Sequence, residues 1–162
     1  MDMHTGEKKV DLANEGAFEV DFDITPASAE KCGIDLVNGK NEKVSIYYDV
    51  QAQRFVMDRA QSGITDFGEK VEPHDLDTEA SLKRYKDQAV DYKNAFALGT
   101  WAKVPVAAST HHVQVFVDKS SVELFVDGGR IAMTNLVYPT EPYNVLRFFG
   151  GQVTKAKAWT LK

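Results

Sequence analysis

The chain contains 162 residues, carries a formal net charge of −5 and has a single cysteine, Cys32. Its length suits one domain with a sizeable core, and its acidic balance argues against nucleic acid and anionic membrane surfaces as partners. No apolar run reaches the roughly 18 residues that span a bilayer, and residues 1–16 lack the apolar core of a secretory signal. One cysteine excludes an internal disulfide, so we interpret Cys32 as a small buried strand residue.

After a polar lead-in at residues 1–16, the chain alternates apolar and polar residues with a period of two. The clearest run has Phe18, Val20, Phe22 and Ile24 on one side and acidic residues on the other. Such alternation is typical of strands that bury one face. We therefore predict strands over residues 17–25, 32–37, 44–49 and 54–58, with Asn38-Gly39 as a tight turn between the second and the third.

Residues 69–107 are the least regular part of the sequence, with Pro73, Pro105 and many charges. A loop of that length is uncommon inside a compact domain. Over residues 78–92, Thr78 could cap a helix, and the apolar residues that follow fall near helical spacing. We expect a short surface helix or an irregular excursion there.

The most regular stretch is residues 113–129, VQVFVDKSSVELFVDGG. Two alternating runs flank a polar turn at residues 118–121, and Asp127-Gly128-Gly129 forms a second turn, because glycine tolerates the positive φ of tight hairpins. Further strands are predicted over residues 130–138, 144–149 and 153–161. Nine or ten strands without βαβ alternation predict an all-β protein, a two-sheet antiparallel β-sandwich of the jelly-roll or lectin-like type.

Four motifs in this chain resemble those of one known module. They are the run from Asp118 to Phe125, MDRAQSG at residues 57–63, Val137-Tyr138-Pro139, and Trp159-Thr160-Leu161. The module is the C-terminal β-sandwich of glycoside hydrolase family 32, whose members release fructose from sucrose, inulin and levan. The resemblance implies a β-fructosidase parent of the retaining type that is secreted or periplasmic, although nothing in this chain directs export.

The resemblance also implies that the catalytic residues lie elsewhere. In the family they occupy Asn-Asp-Pro-Asn-Gly, Arg-Asp-Pro and Glu-Cys strings on an upstream five-bladed propeller domain of the same polypeptide. None of these strings occurs in this sequence. We therefore expect a chain with no catalytic residue and no cofactor, which supports the propeller and, as such modules can, mediates dimers.

Charged and hydroxyl residues of the motifs are candidates for an interface or a structural role: Asp58, Arg59, Asp118, Ser120, Ser121 and Glu123. Glycoside hydrolysis needs two carboxyl groups about 5 to 9 Å apart, and Asp118 and Glu123 could approach each other across their turn. Structural ion pairing mimics such a site, so we favour pairing of Glu123 with a base such as Arg59. Asp58-Arg59 is interpreted in the same way.

The adjacent His111 and His112 could be mistaken for a metal site. Neighbouring residues in a strand point to opposite faces, so both cannot easily ligate one ion. His4 and His74 lie in unrelated polar contexts. We predict solvated histidines and no metal.

Sugar recognition needs an exposed aromatic ring with polar groups beside it. Its candidates here are Tyr47, Tyr92, Trp101 and Tyr143, of which Tyr47 is favoured because Ser45 and Asp49 share its side of the strand. Single aromatic residues are more often core or interface anchors. The sequence thus favours an accessory domain, leaves open a carbohydrate-binding module for fructan or another polysaccharide, and disfavours a free-standing hydrolase.

Overall fold

The computed structural model describes residues 7–9, 16–27, 30–65, 95–97, 99–105 and 108–161. These residues form eleven strands and one turn of 3-10 helix at Ala95–Ala97. The strands are β1 (Glu7–Lys9), β2 (Phe18–Pro26), β3 (Lys31–Val37), β4 (Lys43–Asp49), β5 (Arg54–Asp58), β6 (Thr100–Lys103), β7 (His111–Asp118), β8 (Ser121–Val126), β9 (Ile131–Leu136), β10 (Val145–Phe149) and β11 (Gly151–Thr160). None of the helices in this described part is long and apolar enough to cross a membrane.

The strands form two antiparallel sheets. One has six strands in the order β1-β10-β3-β4-β5-β6, and the other has five in the order β11-β2-β7-β8-β9. Alternate residues of both sheets face inward; Phe18, Val20, Phe22 and Ile24 of β2, for example, are at most 1% exposed. Each such side chain contributes roughly 1.5 to 3 kcal/mol on burial. The predicted all-β sandwich is confirmed.

Contacts across the core join the two sheets. Phe22 of the five-stranded sheet meets Phe148 of the six-stranded sheet edge to face, with ring centroids 5.2 Å apart. Asn135, which is 4% exposed, donates to the Thr100 hydroxyl at 2.8 Å. This bond satisfies a buried amide and ties β9 to β6.

The predicted strands recur with ends shifted by two residues or fewer, and residues 54–58 match β5 without a shift. Two strands were missed. Glu7–Lys9 lies in the predicted polar lead-in, and Thr100–Lys103 lies in the predicted irregular excursion. Both are short edge strands held by main-chain pairing to β10 and β5. Main-chain hydrogen bonds do not require alternating apolar and polar side chains, so these strands show no such alternation to predict them. The helix predicted over residues 78–92 falls outside the described residues.

Candidate functional site

Motif segments that are distant in sequence meet at one end of the sandwich. The amide of Ile64 donates to the Tyr138 carbonyl at 2.9 Å, and the amide of Val137 donates to the Ser120 carbonyl at 3.0 Å. The Tyr143 hydroxyl donates to the Ser62 carbonyl. Loop 59–64, turn 118–121 and loop 137–143 therefore form one surface, which we call the motif end.

Gly63 fixes the first of these loops against the third. Its φ is 142°, a conformation that side chains disfavour. An added Cβ would lie 2.3 Å from the Tyr138 carbonyl oxygen and 2.7 Å from Cα of Pro139. Only glycine permits this backbone approach, so the MDRAQSG motif is tied to the Tyr-Pro motif.

Tyr143 is part of this interior, contrary to the prediction that it is an exposed sugar platform. It is 2% exposed, and burial, with the nearby Glu42 carboxylate adding to it, raises the pKa of its hydroxyl. The hydroxyl remains a neutral donor, and its ring face is covered by protein. That sugar-binding candidate is wrong because the Tyr143 ring packs in the core, whereas Pro142 before it stays exposed.

Glu42 holds loop 137–143 from the other side. Its Oε1 accepts hydrogen bonds from the Asn38 side-chain amide at 2.8 Å, the Thr140 amide at 2.7 Å and the Thr140 hydroxyl at 2.8 Å. Burial opposes its ionisation, but these hydrogen bonds to the carboxylate prevail and lower the pKa of Glu42. Sequence reasoning missed this residue, because a lone Glu after a turn carries no pattern.

Beside the turn lies an open cleft of about 220 Å³. Its lining includes Gly16, Asp118, Lys119, Thr140, Glu141 and Pro142. The cleft therefore joins the start of β2 to two segments of the motif end.

Apolar side chains are exposed at the motif end. Ile64 is 50% exposed and Leu136 is 49% exposed. Beside Leu136, the Arg59 guanidinium donates to the Leu136 carbonyl at 2.8 Å and lies 4.1 Å from the Phe96 ring centroid. Burial lowers the pKa of Arg59 from a very high ordinary value, so it stays charged.

Tyr47 and Trp101, two of the predicted sugar-binding residues, lie on one outer face. Five residues lie in register across the six-stranded sheet, and we call this set the aromatic row: Phe149, Gly33, Tyr47, Val56 and Trp101. The Lys31 ammonium lies 4.9 Å from the Tyr47 ring centroid, and the Arg54 guanidinium lies 4.9 Å from that of Trp101. The strand pairing, which single-strand patterns do not give, creates this row. Tyr92 lies outside the described residues.

Comparison with known proteins identifies the chain. The family model described as "Glycosyl hydrolases family 32 C terminal" matches residues 2–160. The chain belongs to this family. A levanase of Bacillus subtilis (strain 168) is 26% identical over 152 residues, which are 90% of this chain but 18% of the levanase. This family 32 C-terminal chain thus spans less than a fifth of that relative.

The fold of the family 32 chain recurs in solved structures. An exo-inulinase from Aspergillus awamori matches with a TM-score of 0.63 and 21% identity, covering 97% of this chain and 26% of the exo-inulinase. The galectin LEC-6 from Caenorhabditis elegans matches with a TM-score of 0.62 and 10% identity, covering 97% of this chain and 91% of the galectin. The same sandwich can therefore be part of a large enzyme or nearly a whole protein.

In this family 32 chain, the motif aspartates hold turns. Oδ1 of Asp118 accepts from the Lys119 amide at 2.7 Å, and Oδ1 of Asp58 accepts from the Ala60 amide at 3.0 Å. Asp118 lies opposite Ser121 in the β7–β8 ladder, next to the turn residue Ser120. Asp and Ser are common at turns because their side chains form hydrogen bonds with nearby backbone groups.

Glu123 does not complete an acid pair or the expected ion pair. It lies opposite Phe116 on one side and Thr134 on the other, whereas Asp118 lies opposite Ser121. Among the ion pairs between described residues, none joins Glu123 to Arg59. That pairing is not formed because Arg59 turns toward Leu136 and Phe96 instead.

The adjacent residues His111 and His112 of the family 32 chain point to opposite faces of β7. His111 is fully buried against the Tyr48 and Phe55 rings, with Nδ1 2.7 Å from Oδ2 of Asp127. The prediction of a solvated residue is wrong for His111, because its position in β7 is an inward one. His112 is exposed and lies 2.7 Å from Asp23. No group of three potential metal ligands occurs within the described ranges.

Proposed function

We propose that this family 32 C-terminal chain is a non-catalytic accessory domain that supports the catalytic propeller of a longer polypeptide. The observation that carries the proposal is the motif end, where loop 59–64, turn 118–121 and loop 137–143 converge. Three of the four motifs that mark the family therefore contribute to one surface. The small share of the levanase that the chain spans is consistent with a module of a larger enzyme.

The chemistry of the motif carboxylates supports a non-catalytic role. A retaining glycosidase places two carboxyl groups about 5 to 5.5 Å apart around a sugar bond. Asp118 is engaged by the Lys119 amide, and Glu123 lies between Phe116 and Thr134 in the sheet ladder. This arrangement provides a stable turn and an outer sheet face, with no acid and nucleophile facing each other.

Exposed apolar side chains make the motif end suited to docking. Ile64 and Leu136 are each about half exposed, which is unfavourable for large aliphatic groups in water. Arg59 is fixed by the Leu136 carbonyl and the Phe96 ring, so little side-chain entropy is lost when it meets a partner. Exposed apolar side chains together with a fixed cation fit the mixed character of interdomain surfaces.

The test is to produce this chain and the preceding catalytic part as separate polypeptides and to measure their association by calorimetry. We expect binding and a higher Tm for the catalytic part. Leu136→Ser should weaken association about tenfold, since burying a leucine contributes roughly 1.5 to 3 kcal/mol and tenfold is about 1.4 kcal/mol. Arg130→Ser, in the Asp127–Arg130 turn at the other end of β8, is the matched control.

Three results would refute the proposal. The first is no association and no change in the Tm of the catalytic part. The second is an equal loss of binding in the Leu136→Ser and Arg130→Ser variants. The third is release of reducing sugar from sucrose or levan by this chain alone.

A further inference from the structure

The outer face of the six-stranded sheet carries a charged row beside the aromatic row. Lys31, Asp49, Arg54 and Lys103 lie in register across β3, β4, β5 and β6. Each is two residues from a member of the aromatic row on the same strand, so both rows share one face. This row holds three cations and one carboxylate, in a chain with 24 acidic and 19 basic residues. This row is therefore locally positive in an acidic protein.

Within the part of the chain that the structure describes, the cations of this row have no carboxylate within ion-pair distance. None of the ion pairs formed within the described residues includes Lys31, Arg54 or Lys103. Asp49 stands between the first two, but its Oδ1 accepts from the Ala52 amide at 3.0 Å and so holds the β4–β5 turn. Nε of Arg54 is buried without a hydrogen-bond acceptor. Such a group is costly unless an anion or acceptor compensates it.

Arg54 and Lys103 stand directly opposite each other on β5 and β6. Like charges at directly opposed positions destabilise a sheet. Asp49, directly opposite Arg54 on β4, offsets part of this repulsion. A bound anion between the two side chains would convert the repulsion into two attractive contacts.

Trp101 places an aromatic surface next to this cation pair. It is 47% exposed, lies two residues from Lys103 on β6 and is held by the Arg54 guanidinium at 4.9 Å. Gly33 leaves the row without a side chain between Phe149 and Tyr47, and an added Cβ there would lie 2.1 Å from the Ile46 carbonyl oxygen. The backbone around Ile46 therefore fills the position of the missing side chain, and the face combines a fixed ring with cations that have no carboxylate partner among the described residues.

We propose that this face binds a saccharide that carries an acid group, either a carboxylate, a sulfate or a phosphate. The sugar ring packs its C–H surface on Trp101, and the acid group lies between Arg54 and Lys103, where Arg54 can form two parallel hydrogen bonds. A neutral fructan would leave the cation pair uncompensated. The proposed face lies toward the opposite end of β5 and β6 from the motif end, so this inference is independent of the docking role.

The test is calorimetric titration of the chain at low salt with trigalacturonate, fructose 6-phosphate and a sulfated heparin disaccharide. Neutral levan oligosaccharides and inorganic phosphate are the comparison ligands. We expect at least one acidic saccharide to bind, and its affinity to fall as sodium chloride is added, because the charges are exposed to solvent. Trp101→Ala and Arg54→Gln should each weaken binding about tenfold, the size of one aromatic or charge-assisted contact.

Trp159→Ala is the matched control, because Trp159 is the other tryptophan and is 42% exposed on the five-stranded sheet. It should leave binding unchanged, and circular dichroism should show that every variant is folded. The proposal is overturned if no acidic saccharide binds, if neutral levan binds as tightly, or if inorganic phosphate binds as tightly as the sugar phosphate. An equal loss in the Trp159 variant would also overturn it.

Discussion

The hydroxyl of Tyr143 donates its hydrogen bond to the carbonyl oxygen of Ser62, 81 positions away in sequence. Both residues are buried, at 2% and 0% exposure. The bond therefore joins the loop before β10 to the loop after β5 in a place where water cannot replace it. It is one of the contacts that make the motif end a single surface.

Removing that hydroxyl tests its contribution to stability. Tyr143→Phe leaves the ring in place and the Ser62 carbonyl without its donor, so we expect a loss of about 1 to 3 kcal/mol in the free energy of unfolding, measured with urea. Tyr47→Phe, on the outer sheet face, is the control and should change stability by less than about 0.5 kcal/mol. Equal losses in the two variants would show that the buried bond has no special role.

Gly63 offers a second test of the motif end. Gly63→Ala would force a Cβ to within 2.3 Å of the Tyr138 carbonyl oxygen, whereas Gly128→Ala, at φ 72°, would meet nothing within 4 Å. The Gly128 variant should lose about 1 to 2 kcal/mol from its left-handed backbone alone. We expect Gly63→Ala to lose clearly more, because loop 59–64 must move away. Thermal unfolding of both variants checks this order, and a smaller loss at Gly63 would contradict it.

Local patterns were sufficient to predict most of the fold. Val20, Phe22 and Ile24 alternate with polar neighbours, and this period alone indicates which residues face the core. The two short edge strands of the six-stranded sheet, Glu7–Lys9 and Thr100–Lys103, were not predictable in this way. Thr100–Lys103 is held by its pairing with β5, and that pairing is a property of the partner strand as much as of its own sequence.

The candidate sites were predictable only in part, since they depend on register and on contacts between distant loops. Tyr47 was identified from its polar neighbours, but its alignment with Trp101 through Val56 requires the pairing of three strands. Tyr143 and His111 have polar atoms and loop or strand-end positions, so strand alternation did not predict that each is buried. Their partners, Ser62 and Asp127, are set by the folded chain.

Cys32 provides a test of core burial. It is 1% exposed in β3, and burial raises the pKa of its thiol to about 11. Thiolate is the reactive form, so the native protein at pH 8 should react with iodoacetamide far more slowly than a free cysteine. Reaction should become rapid in urea above the unfolding midpoint, as followed by mass spectrometry. Fast labelling of the native protein would contradict the buried position.

The outer face of β2 leads to a prediction about pH. Glu19 is 8% exposed and lies opposite Trp159 and Phe116; burial, with the neighbouring Asp21 carboxylate, raises its pKa above the ordinary value of 4.5. The folded state therefore binds this proton more tightly than the unfolded state does. The stabilisation from Glu19 is complete below its unfolded pKa and is lost as pH rises through the folded pKa.

Glu19→Gln should remove this dependence. Relative to the unmodified protein, the variant should gain stability as pH rises from 4 toward 8 in urea titrations at each pH. Glu42→Gln is the control with the opposite sign. Because the pKa of Glu42 is lowered in the folded state, its carboxylate stabilises the fold above the unfolded pKa, and this stabilisation is lost as pH falls through the folded pKa. Parallel pH profiles for the two variants would show that the Glu19 carboxyl is solvated like an ordinary surface acid.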